Sequence, residues 1–200
     1  DDARGYRAQL RNAAAGTHYY VVREEGGYKL LARGAQVGAL ASVALERLDA
    51  GDTATARQWL DWARLEQDAD NSDDPLYGYA FSRFWSVGVA RESAQIRTGA
   101  ALLLADSTLA ERALPLLRAA QAEAAQKAGA DVGELSLDLA LARVYQQLEQ
   151  WPELETVATR LVAQWPDSRM AFHYQQWARI RMKRFDEVDA AARARLARLP

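Results

Sequence analysis

The 200-residue sequence contains no cysteine, which excludes disulfides, thiol nucleophiles and thiolate metal sites at once. Histidine is nearly absent as well: His18 and His173 are the only two, so imidazole chemistry has few places to occur. No apolar run approaches the roughly 18 to 20 residues a membrane-spanning helix needs, and no basic-then-apolar leader precedes the first helical pattern. Charge of one sign is lacking too. A net charge of -2 argues against a nucleic-acid binder that works through a strongly basic surface. Lysine occurs only at Lys29, Lys127 and Lys183, so the positive charge is nearly all arginine. With abundant alanine, this bias suits a GC-rich bacterial genome. Half the residues are apolar, enough for a buried core, and the opening Asp1 suggests a piece of a longer or processed protein.

The motifs that mark enzymes are missing as well. There is no nucleophile elbow, phosphate-cradling glycine loop, zinc helix motif or pocket-forming carboxylate pair, and neither histidine has a serine or acid motif beside it. No catalytic, cofactor-binding or metal-binding residue is assigned. His18 is expected as a cross-strand packing residue.

Two kinds of periodicity divide the chain. Residues 1–35 read as a short helix from Ala3 to Ala14, stopped by Gly16, and a β-hairpin. The hairpin strands are Thr17–Arg23 and Tyr28–Ala32, with Glu24, Glu25, Gly26 and Gly27 as the turn. These strands are too apolar on both sides to stand alone in water, so either the preceding helix or an upstream domain is expected to cover one face.

From residue 36 to 200 every periodic segment has helical spacing. Leu40, Val43, Ala44 and Leu48 form one stripe; Ala56, Trp59, Leu60 and Ala63 form the next, with a break at Gly51 and Asp52. Ala101 and Leu104 precede a break at Asp106 and Ser107, and Ala113, Leu117 and Ala120 follow. Pro115 falls in that second helix and is placed near its first turns, where amides lack intrahelical partners. A third hairpin uses Leu141, Ala142 and Tyr145, then Leu154, Ala158 and Leu161. A fourth uses Phe172, Tyr174 and Trp177, then Phe185, Val188, Ala192 and Leu196. Pro166 and Pro200 close the last two hairpins 34 residues apart.

A 34-residue hairpin unit with small residues at the helix crossing and a closing proline resembles the tetratricopeptide repeat family. The resemblance implies a mainly α, TPR-like α-solenoid of about four helical hairpins, a right-handed superhelix with a concave groove, preceded by the short helix and β-hairpin. Ala44, Ala56, Ala101, Ala113 and Ala142 take the crossing positions, since facing helices approach to about 8 to 10 Å only over small side chains. In the fourth unit Gln175, Gln176 and Arg179 stand where apolar or small residues are usual, so a two-residue slip that brings Trp177 and Ala178 to the crossing is the expectation there. Carried over by offset, the groove face holds Thr98 and Leu102, then Arg143, Gln146 and Gln147, then His173, Trp177 and Arg181. In the first unit this face offers Ala41, Leu45 and Leu48, so the lysine and asparagine clamp by which some members hold a terminal carboxylate is missing.

An insertion of about residues 66–88 separates the first two units. Asp68, Asp70, Ser72 and Asp74 alternate as in a calcium loop, but Asp73 and Tyr79 stand where an EF-hand needs glycine and glutamate, so a solvated loop is favoured. Tyr77, Tyr79, Phe81, Phe84 and Trp85 follow, either capping the gap in the stack or forming a peptide-contacting rim. The last unit is locally basic, with Arg169, Arg179, Arg181, Lys183, Arg184, Arg193, Arg195 and Arg198. This is either a solvated face or an anion-attracting end of the groove. The expected function is a non-catalytic protein-interaction module binding a peptide or partner helix, with no nucleic acid and no membrane insertion. The alternative is the C-terminal docking or substrate-positioning region of a larger bacterial enzyme.

Overall fold

A computed structural model describes residues 5–8, 19–24, 27–33, 37–66, 93–105, 109–126 and 133–197. The insertion at residues 67–88, with its acidic and aromatic clusters, and His18 lie outside the described residues. The protein is mainly helical. Strands β1 (Gly5–Ala8), β2 (Tyr19–Glu24) and β3 (Gly27–Arg33) are followed by helices α1 (Val37–Asp49), α2 (Thr53–Glu66), α3 (Ser93–Ala105), α4 (Ala110–Gln126), α5 (Gly133–Gln147), α6 (Trp151–Gln164), α7 (Arg169–Arg181) and α8 (Phe185–Leu196). The described residues fall into two compact units: the strands, α1 to α3 and α4 as far as Leu116 make one, and the rest of α4 with α5 to α8 makes the other.

In the first unit the expected hairpin is present as β2 and β3, with an irregular register at Tyr20 and Val21. The expected short helix is not what the described part of its span forms. Gly5 to Ala8 is a strand, antiparallel to β2 with Gly5 opposite Val22 and Ala8 opposite Tyr19. Gly5 weakens any helix there, and pairing along β2 satisfies backbone groups that a lone edge would leave to water.

Part of the cover for the sheet has a source the sequence did not indicate. It comes from α2: Tyr20, fully buried, lies 6.2 Å from Trp59 and 5.7 Å from Trp62, and the two indoles meet edge-on at 4.9 Å. Tyr28 and Leu30 on β3 stay exposed, at 64% and 58%.

Helices α1 and α2 form the expected hairpin, with Leu40, Ala44, Ala56, Trp59, Leu60 and Ala63 fully buried. Helix α3 packs on both. Polar contacts tie α3 and α4 to α1: Arg97 to Asp49 at 2.8 Å, and Arg112 to the Ser42 hydroxyl at 2.9 Å. Pro115 stands at the sixth residue of α4, inside the helix rather than in its first turn. The amide it lacks would have bonded the Glu111 carbonyl. The helix continues because the site is exposed and water can serve that carbonyl.

Three hairpin turns among the described residues share one geometry. Gly51 (φ +80°), Glu149 (φ +55°) and Lys183 (φ +62°) are left-handed, each the second residue past its helix. Each donates its amide to the carbonyl three residues back: Gly51 to Leu48, Glu149 to Gln146, Lys183 to Ile180. The next amide reaches five back, Asp52 to Arg47, Gln150 to Tyr145 and Arg184 to Arg179, all at 2.9 Å. This is the Schellman arrangement, which satisfies the last carbonyls of a helix while reversing the chain.

Glu149 and Lys183 are 34 residues apart, and so are the ends of α5 and α7 and the starts of α6 and α8. The last two hairpins therefore keep strict register, and the expected two-residue slip does not occur. Gln175, Gln176 and Arg179 occupy the places of Leu141, Ala142 and Tyr145. Both glutamines are buried; Gln175 donates to Thr159 Oγ1 at 3.1 Å and Gln176 to Gln175 Oε1 at 3.0 Å, so hydrogen bonds replace apolar packing. Ala178 is fully buried, as expected, but Trp177 points outward.

All five alanines expected at the helix crossings, Ala44, Ala56, Ala101, Ala113 and Ala142, are fully buried. The apolar stripe of the last helix behaves differently: none of α8 is buried, and Phe185 and Leu196 are 60% and 66% exposed. Two measurements test these packing rules. Ala142→Leu should lower unfolding free energy by about 1 to 3 kcal/mol in chemical denaturation, because the crossing has no room for the branched side chain. Gly51→Ala adds a methyl group that meets nothing within 4 Å, so its expected loss of about 1 kcal/mol reports the left-handed backbone alone.

Candidate functional site

The 34-residue register aligns the candidate groove residues of the second unit in two columns. Arg143 on α5 matches Trp177 on α7, and Gln147 matches Arg181. Helices α5 and α7 are in contact, which places these columns on neighbouring helices. On α7 the spacing of four puts His173, Trp177 and Arg181 on one face. The His173 and Trp177 rings stack at 5.8 Å and 27°, with both residues exposed. Gln147 is exposed, and Arg143 and Gln146 are half-buried. An exposed indole with an imidazole stacked on its face offers flat apolar area, and the neighbouring α5 carries the Gln146 and Gln147 amides.

Other candidates stand elsewhere. Thr98 and Leu102 belong to the first unit, and Leu102 is buried in its core, 3% exposed. Helix α3 is apolar nearly all round from Ala100 to Ala105, so it is enclosed rather than presenting an open face, and Leu102 cannot meet a ligand. Arg181 turns toward the α5–α6 turn: its guanidinium lies 4.7 Å over the Trp151 ring and 3.5 Å from Glu149.

The basic end is largely engaged within the protein. Glu155 of α6 accepts from Arg179 at 2.9 Å and from Arg184, and Arg184 forks onto both carboxylate oxygens of Glu187. Arg193 pairs with Asp189 at 2.7 Å. Arg195 donates to the carbonyls of Pro166, Asp167 and Ser168 while lying 4.6 Å over Phe172. A partner's carboxylate would have to displace these contacts, which disfavours a ready anion site here. The fork from Arg184 holds the Glu187 carboxyl below its ordinary range, and Glu187 in turn raises Arg184.

Sequence reasoning missed the polar hub at Asp138, 5% exposed. It accepts a forked pair from Arg160 at 2.8 and 3.2 Å and a bond from Gln121 at 2.9 Å, fastening α4, α5 and α6. An acid inside the run Leu137, Asp138, Leu139 was the available signal, since a buried carboxylate needs partners. Tyr145 likewise accepts from Arg118 at 3.3 Å, a bond that raises the Arg118 pKa.

Among the described residues no group of three acids or histidines could hold a metal ion, and no helix is long and apolar enough to cross a membrane. These features define a mainly helical protein whose second unit contains two helical hairpins offset by 34 residues. Comparison with known proteins finds no matching family model, no similar curated sequence and no similar solved structure.

The Glu187 pairing predicts acid sensitivity with a definite sign. A folded-state pKa below the ordinary value of 4.5 adds stability above that value, lost as pH falls through the lowered one. Between pH 5 and 3 the wild-type chain should therefore lose thermal stability faster than Glu187→Gln, and about 1 M salt should narrow the gap because the pair is exposed.

Proposed function

We propose that this chain is a TPR-like α-solenoid of helical hairpins acting as a non-catalytic interaction module, with the outward face of α5 and α7 as its peptide or helix-binding surface. The observation that carries the reading is the exposed His173–Trp177 stack on α7, with Trp177 at the 34-residue equivalent of Arg143 on α5. Buried alanines at the helix crossings and the repeated turn geometry support the repeat assignment. A scaffold of helices that leaves an indole in solvent, with an imidazole stacked on it, suits recognition by a few anchoring contacts.

A second reading, docking region of a larger enzyme, draws on the exposed Tyr28 and Leu30 of β3, an apolar sheet surface suited to another folded region.

Selection of a random peptide library against the chain tests the first reading. Selected peptides should lose about 2 kcal/mol of affinity or more on Trp177→Ala, with a smaller loss on Arg143→Ala. Peptides whose binding ignores both substitutions place recognition elsewhere and contradict it.

A further inference from the structure

Histidine is the side chain whose charge ordinarily changes near neutral pH, and His173 is the one histidine among the described residues. It stands on the face proposed above for binding. Its ring is stacked on the exposed Trp177 indole, centroids 5.8 Å apart at 27°, and lies 6.2 Å from the ring of the buried Tyr174. No hydrogen bond or ion pair engages the imidazole among the described residues.

The charged groups of α7 and of the helices packed on it have partners of their own. On α7, Arg169 stands one turn before His173 and Arg181 two turns after it, with the Arg181 guanidinium over Trp151 and beside Glu149. Arg179 is bonded to Glu155 of α6, which also accepts from Arg184. Elsewhere on α6, Arg160 holds Asp138 of α5, and Glu153 acts on Arg118 of α4. Helix α5 adds Arg143 at the place that matches Trp177. On α8, Arg184 forks onto Glu187, Asp189 pairs with Arg193, and Arg195 lies over Phe172. These arginines and carboxylates keep their charges near neutral pH, so His173 is the group that changes and the indole is what it changes against.

A neutral imidazole makes a weak contact with an indole face, whereas a cation within about 6 Å of the ring centroid is drawn to the ring quadrupole. A partner's side chain that anchors on Trp177 competes for that same face. We infer that His173 is a pH-dependent cover of the Trp177 anchor: neutral, it yields the indole to a partner, and protonated, it holds the indole and weakens the partner's grip. Binding on this face therefore declines as pH falls through the histidine range. The inference rests on the α5–α7 face being the binding surface, and it adds how that surface is regulated.

Two readouts test it. With only two histidines in the chain, the His173 ring protons are readily followed by nuclear magnetic resonance. Stacking on the indole displaces their signals relative to Trp177→Ala, and this displacement should be larger at about pH 5.5 than at about pH 8. The second readout uses peptides selected at about pH 8 from an end-capped random library built without Asp, Glu or His, so that the ligand itself does not titrate. Peptides that depend on Trp177 should bind about two- to fivefold more weakly at the lower pH, the weight of one exposed cation–aromatic contact, and His173→Gln should remove this pH dependence. An equal displacement at both pH values would overturn the inference while leaving Trp177-dependent peptides, and with them the binding surface, in place. PH-independent binding by the wild-type chain, or a pH dependence that survives His173→Gln, would overturn it as well. A selection that yields no Trp177-dependent peptide would remove the binding surface itself, and the regulation with it, whatever the two rings do.

Discussion

Reversing a helical chain within three residues is the constraint on which the rest of this structure depends. The last carbonyls of the first helix must find donors, and the backbone must enter the left-handed region to bring them. Glycine does this without strain at Gly51, while Glu149 and Lys183 do it at some steric cost. Once the turn is fixed, the second helix returns along the first, and the positions that face each other are set. In the α1–α2 and α5–α6 hairpins those positions include fully buried alanines, Ala44, Ala56 and Ala142, which let the helices approach closely.

That geometry tolerates a change of chemistry between repeats. In the α5–α6 hairpin, Leu141, Ala142, Leu154, Ala158 and Leu161 are all fully buried. One period later Gln175, Gln176 and Arg179 sit at matching places, and the Gln176 side-chain oxygen is buried without a partner. The α6–α7 contact relies on directed bonds, and α8 is held by Arg184, Glu155 and Glu187 and by Arg195 on three carbonyls rather than by buried apolar area. Hydrogen bonds and exposed ion pairs contribute modestly to stability, so the last hairpin is expected to be the softer of the two.

Much of this was legible in the residues. Helical spacing located the hairpins, and the 34-residue interval between Pro166 and Pro200 foretold the register that the turns at Glu149 and Lys183 display. Three features were not legible. Gly5 to Ala8 looked helical because its partner strand lies more than ten residues away, and local propensity carries no information about that pairing. The slip expected in the fourth hairpin arose from treating glutamine as unfit for a buried crossing, whereas Gln175 finds Thr159 across the interface. The groove face was read by offset alone, which identified the exposed Trp177 and Gln147 but also named Leu102, since a stripe of spacing cannot tell which side of an all-apolar helix is covered.

Hydrogen exchange at single-amide resolution, at neutral pH, tests the central claim most directly. The amides of Asp52, Gln150 and Arg184 close the three turns onto the carbonyls of Arg47, Tyr145 and Arg179. All three should exchange slowly, with Arg184 the least protected of them. Free exchange at these amides, or protection that shares no pattern from turn to turn, would contradict a chain built from one repeated reversal.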